Sequence, residues 1–188
     1  MSEVIRNTSV QRREDVASGR IGEVTVHDKA LRIYLDDHLA GATTGAELSR
    51  RIARAHDSSG RAPELRRLAE DIADDRRSLL ALMESLGIAP QQYKTCGGWV
   101  AEKIARLKLN GRVRRRSGLS TMVELETLRM GIQGKYLLWT ALMAAAPVPG
   151  PIDTTRLQEL ADRAKDQMET VDALHRTAAR AVLAEGRI

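Results

Sequence analysis

Phenylalanine is absent from this chain, and two tryptophans and three tyrosines supply all of its aromatic side chains. That scarcity argues against a stacking platform for single-stranded nucleic acid. It leaves leucine, alanine, isoleucine, valine and methionine, a helix-rich palette, to fill the core. The single cysteine, Cys96, excludes an internal disulfide and any cysteine-rich metal site, and suits a reducing compartment. The longest strongly apolar run, Leu137 to Val148, is interrupted by Thr140 and closed by prolines. It is well short of the roughly 18 residues a membrane span needs, so no membrane association is expected. The first residues carry Glu3, Arg6, Arg12, Arg13, Glu14 and Asp15 without an apolar stretch, so no secretory signal is expected and the cytoplasm is the expected location. No glycine-rich phosphate loop, zinc finger, recognition helix or RNA-binding signature occurs.

What is present is charge of both signs. Thirty basic and 25 acidic residues give a formal net charge of +5, with an isoelectric point near 9.7. They are mostly interleaved, the pattern of solvated helix faces. Arg112, Arg114, Arg115 and Arg116 form the one basic cluster. A solvated loop is the favoured reading of it, and a nucleic-acid or polyanion contact the alternative.

Helical periodicity runs through most of the chain, and its breaks are punctuated. Residues 1–27 are polar and unpatterned and read as a flexible N-terminal tail. Asp28 is a plausible N-cap for a long helix that stops at Asp57-Ser58-Ser59-Gly60. Pro63 suits the first turn of a second helix, and Gly87 its end. Pro90 opens a shorter third segment through Trp99 and Leu107 to Asn110-Gly111, and Ser117 can cap a fourth helix. Pro147, Pro149 and Pro151 bar that helix from continuing. Asp153 can cap the last, with Gly186 just past its end. The fourth helix has apolar residues all round, including Leu119, Leu125, Ile132, Leu137 and Trp139, which predicts the most buried element. Gly41 and Gly45 in the first helix, and Gly131 and Gly134 in the fourth, predict close backbone approach. Two antiparallel hairpins joined by a crossover helix accommodate all of this over residues 28–185.

Several polar residues fall on faces that the pattern buries, and each needs a partner. His38 lies among Leu31, Leu35 and Leu39. Glu126 and Gln133 share a side with Leu119, Val123, Met130 and Leu137, and His175 lies among Leu160, Met168, Val171 and Val182. Arg76 sits with Ile72 and Leu79, flanked by Asp71 and Asp75. His38, Asp75 and Arg76 are therefore expected in a buried polar network in which a carboxylate answers the guanidinium. Relative depth along the helices brings Glu126, Asp172, His175 and Asp71 to one level. That is either a metal site or a histidine–carboxylate network that sets helix register.

The stretches YLDDHLAGA at 34–42, LAEDIADDR at 68–76, WVAEK at 99–103, LKLNG at 107–111 and ELETL through Gly134-Lys135 to Trp139, within residues 28–184, resemble uncharacterised bacterial members of the ferritin-like helical-bundle proteins. The resemblance implies an all-α fold, a ferritin-like antiparallel four-helix bundle with a crossover helix. It also implies a possible iron or other divalent-metal cofactor, held by a glutamate from each of two helices and Glu-x-x-His from each of the others. This chain departs from that pattern. Glu70 is followed three residues later by Ala73, Asp172 and His175 have the spacing with the shorter acid, and Glu47 points away from the apolar face. The expected protein is thus a non-catalytic structural or interaction protein with a degenerate metal site and no required cofactor. Its expected partner is another protein or a second copy of itself. A carboxylate/histidine iron-binding protein is the first alternative, and a basic polyanion-binding module the second.

Overall fold

The computed structural model describes residues 3–90, 118–146 and 152–185, with side chains described from residue 29 onward. Among these, all regular structure is helical: α1 (Glu3–Ala55), α2 (Ala62–Ser85), α3 (Gly118–Ala145) and α4 (Thr154–Ala179), the last extended by a π-helical turn, Arg180–Ala184. The chain divides into two units, 1–36 and 37–188. The first is helical from Glu3, and everything below concerns the second. Beyond Pro90, the third segment expected at 90–110 lies outside the described residues, as does the Ser117 cap.

The helix ends follow local chemistry. α1 has no proline to stop it, since Pro63 is the first in the chain, and its helix passes straight through Asp28 rather than being capped there. It ends where expected: Ser59 N donates to His56 O at 2.9 Å, and the Ser59 hydroxyl donates to the same carbonyl at 2.7 Å. α2 opens with proline in its first turn and closes on Gly87, whose φ of +68° is the left-handed value that glycine adopts without strain. Gly87 N donates to Glu84 O and Ile88 N to Met83 O, both at 2.9 Å, the paired bonds of a Schellman stop. Asp153 caps α4 by accepting from Arg156 N at 3.1 Å.

All four helices contribute to one core, in which Ile52, Leu68, Leu128 and Val171 are buried representatives. α4 buries Leu157, Leu160, Ala164, Met168 and Val171 as its periodicity predicts, with Gln167 on the same stripe. α3 differs from expectation. It buries Glu124, Leu125, Leu128, Ile132, Leu138, Trp139 and Leu142, whereas Leu119, Met130 and Leu137 are 47%, 45% and 53% exposed. With apolar residues all round, α3 offered two possible faces, and the one that packs is the one carrying Lys135.

Contacts between the helices fix their relative directions. Arg51 meets Glu124 and His56 meets Thr121, so numbers fall on α3 as they rise on α1. Arg129 meets Asp172 and Glu126 meets His175, so α3 and α4 oppose each other. Arg61 meets Thr177 and Asp75 meets Arg163 and Gln167, which sets α2 against α4.

Candidate functional site

The polar centre of the molecule is Asp75, which is 1% exposed. Its Oδ1 accepts from Arg163, and its Oδ2 accepts from the Lys135 ammonium and, at 2.9 Å, from Gln167 Nε2. Gln167, itself buried, closes the ring by accepting from Lys135 through Oε1. Three helices are thereby tied through one carboxylate. Burial pulls the Lys135 ammonium below its usual range, and the adjacent Asp75 charge acts in the opposite direction. Asp71, one turn earlier on α2, has its proton affinity raised, first by burial, with Arg163 opposing and Asp75 adding to it.

Arg76 does not join this ring. Its Nε donates to the Thr43 hydroxyl at 2.9 Å, so the guanidinium expected to meet a carboxylate meets an α1 hydroxyl instead. Asp75 is turned toward α3 and α4, while Arg76, one residue on, is turned about 100° away toward α1. His38 is half-buried in the wall of a cavity that Asp75 and Lys135 also line, and burial lowers its proton affinity against the opposing pull of Asp37. Of the three residues expected in one network, His38 and Asp75 line one cavity, while Arg76 is turned to Thr43.

The four residues nominated for a metal are likewise distributed. His175 Nε2 and Glu126 Oε1 lie 3.0 Å apart at a partly exposed α3–α4 edge. Asp172, one turn away, accepts from Arg129 Nε at 3.1 Å, and Arg129 also donates to Gln133 at 3.2 Å. Asp71 is on α2, beside Arg163. Among the described residues no group of three or more histidine, cysteine, aspartate or glutamate side chains is placed to hold a metal ion. The cause is the register of α4. Its inward stripe is Leu160, Ala164, Gln167, Val171 and Leu174, which leaves Asp172 and His175 at the edge. Arg112, Arg114, Arg115 and Arg116, with Cys96, lie outside the described residues.

Sequence reasoning missed Lys135, Arg163 and Gln167. A signal for two of them exists. Lys135 falls three residues after Ile132 and three before Leu138, and Gln167 lies between Ala164 and Val171. Each is a polar residue on a helical apolar stripe. A further buried carboxylate, Glu124, pairs with Arg51 at 3.1 Å. His56 Nδ1 lies 2.9 Å from the Ile52 carbonyl, which can only accept, so Nδ1 donates, and Nε2 lies 3.4 Å from the Thr121 hydroxyl.

No protein-family model, curated protein or solved structure matches this chain. The side chains therefore carry the functional argument alone.

The cavity, lined by α1 and α3 with Ile72, Asp75 and Leu79 of α2, has a volume of about 210 Å³. Its walls are mostly apolar, with Leu48, Ile72, Leu128 and Trp139 among them, and Asp75 and Lys135 form part of the lining. Gly41, Gly45, Gly131 and Gly134 also line it, and a Cβ added at any of them would meet no atom within 4 Å. The glycines thus do not mark close backbone approach between the described helices, as expected from sequence. They border open space.

Proposed function

We propose that this chain is a non-catalytic structural or interaction protein, built as a ferritin-like antiparallel four-helix bundle with a crossover. The observation that carries the reading is that nominated metal ligands are engaged with one another and with cations: Glu126 with His175, and Asp172 with Arg129. A carboxylate held by arginine and an imidazole held by glutamate satisfy each other's hydrogen-bonding needs without a metal. The degenerate site is accordingly a set of register-setting ties between α3 and α4.

The helix directions support the bundle. α1 opposes both α2 and α3, and α4 opposes both of the same helices, so α2 and α3 run the same way. A chain passing from the end of α2 to the start of α3 then has to return along the bundle, which is the role of a crossover. The expected partner is a second copy of the chain or another protein.

Elemental analysis of protein purified without chelator tests the reading. We expect substantially less than one equivalent of iron, manganese or zinc, and ferrous iron oxidised no faster than in buffer. Stoichiometric metal, lost in both Glu126→Gln and His175→Ala, would overturn it in favour of an iron-binding protein.

A further inference from the structure

We propose that the cavity lined by α1, α2 and α3 binds a small apolar molecule, of the size of a substituted benzene, that presents one carbonyl or carboxylate oxygen. This goes beyond the structural reading above and does not depend on whether metal is bound elsewhere. The volume, about 210 Å³, is in the range that accepts such a ligand, since an apolar cavity of about 150 Å³ holds benzene.

Trp139 specifies the acceptor oxygen. Its side chain is 1% exposed and lines the cavity, and its indole Nε1–H is buried with no hydrogen-bond partner. A tryptophan N–H taken out of water usually finds an acceptor, and a buried donor without one is a cost to the fold. The cavity that Trp139 lines is open space from which an acceptor can be supplied. Lys135 lines the same space. Its ammonium has three N–H groups, and the hydrogen bonds to Asp75 and Gln167 account for two of them. The third is a second donor available to the same oxygen or to a carboxylate partner.

The glycines are a separate observation. Each of the four weakens its helix relative to alanine, and each has room for a methyl group. Packing of the described helices therefore does not explain them. Leaving the space clear for a ligand does, because side chains there would occupy the volume the ligand needs.

The test uses the full chain labelled with nitrogen-15, in which Trp99 and Trp139 give two indole N–H signals that Trp139→Phe distinguishes. The probes are acetophenone, phenylacetate and toluene, which share a ring and differ in the acceptor. Acetophenone or phenylacetate should shift the Trp139 signal saturably, with toluene binding at least tenfold more weakly. If phenylacetate is preferred over acetophenone, Lys135→Met should remove the preference. By calorimetry, Trp139→Phe should weaken the oxygen-bearing probe at least tenfold and leave toluene unchanged. Gly134→Leu should abolish saturable binding while the circular dichroism spectrum is retained. Gly45→Leu provides the same test from the other wall if that variant does not fold. The proposal is overturned if no probe binds saturably, or if toluene binds as tightly as acetophenone and phenylacetate. It is equally overturned if alanine at Gly45 and Gly134 lowers the melting temperature, which would show that the space is already filled.

Discussion

Asp75 is the residue on which most of the internal electrostatics turn. It compensates two cations, Lys135 and Arg163, whose side chains are 12% and 30% exposed. Removing one partner of a buried pair leaves the others desolvated and uncompensated. Asp75→Ala should therefore cost on the order of 3–5 kcal/mol in urea denaturation. Asp75→Leu combined with Lys135→Met should recover most of that, since Arg163 can turn toward solvent. A loss under about half a kcal/mol, the scale of an ordinary surface change, would mean that the ring is not buried in solution. His38 supplies the pH-dependent counterpart. Burial holds its proton affinity below the ordinary value near 6.5. Between the lowered folded value and about 6.5 the unfolded chain binds more protons than the folded one, so stability rises with pH in that window and is lost on acidification. His38→Gln should flatten this part of the stability profile relative to the parent protein. Equal slopes for the two would remove the histidine from the account.

At the scale of the element, the stop signals are the sharpest feature. Gly87 holds the end of α2 in the left-handed region while Ile88, itself buried, folds back beneath Met83. There is space for a side chain at Gly87, so any loss on substitution comes from backbone strain alone. Gly87→Ala should destabilise by about 1–2 kcal/mol, the penalty of a left-handed L-residue, and Gly87→Asn by less, because asparagine tolerates that conformation better. Thermal unfolding of the two variants decides this, and equal losses would point instead to a packing defect. The edge contacts between α3 and α4 are of another kind. Glu126–His175 and Arg129–Asp172 are part-exposed, and pairs of this sort contribute at most about 1 kcal/mol each.

The whole molecule is constrained by the shared direction of α2 and α3. Asp75 on α2 lies level with Lys135 on α3. Ser85 is ten residues beyond the first and Gly118 seventeen before the second. At 1.5 Å per residue those offsets add to an axial separation of roughly 40 Å. Spin labels at Ser85→Cys and Gly118→Cys, in a Cys96→Ser background, should report a distance of about that length. A separation near the roughly 10 Å of adjacent helix ends would make α2 and α3 a simple hairpin and exclude the crossover.

The amino-acid sequence by itself determined the helical class, most of the helix ends and the buried stripe of α4. Each of these is local: a period of 3.6 residues, a proline, a cap or a left-handed glycine acts within a turn or two. It did not determine which side of α3 faces inward, because leucines lie on every side and periodicity has nothing to choose between. That choice was tertiary, and the face that packs carries Lys135 to Asp75 and Gln167. Tertiary packing likewise separated Arg76 from Asp75, kept Glu126, Asp172, His175 and Asp71 from forming one cluster, and left four glycines bordering a cavity. Only the packed structure could decide these matters, because a buried charge is stable only where several helices bring its partners together, and sequence spacing along one helix does not contain the positions of the others.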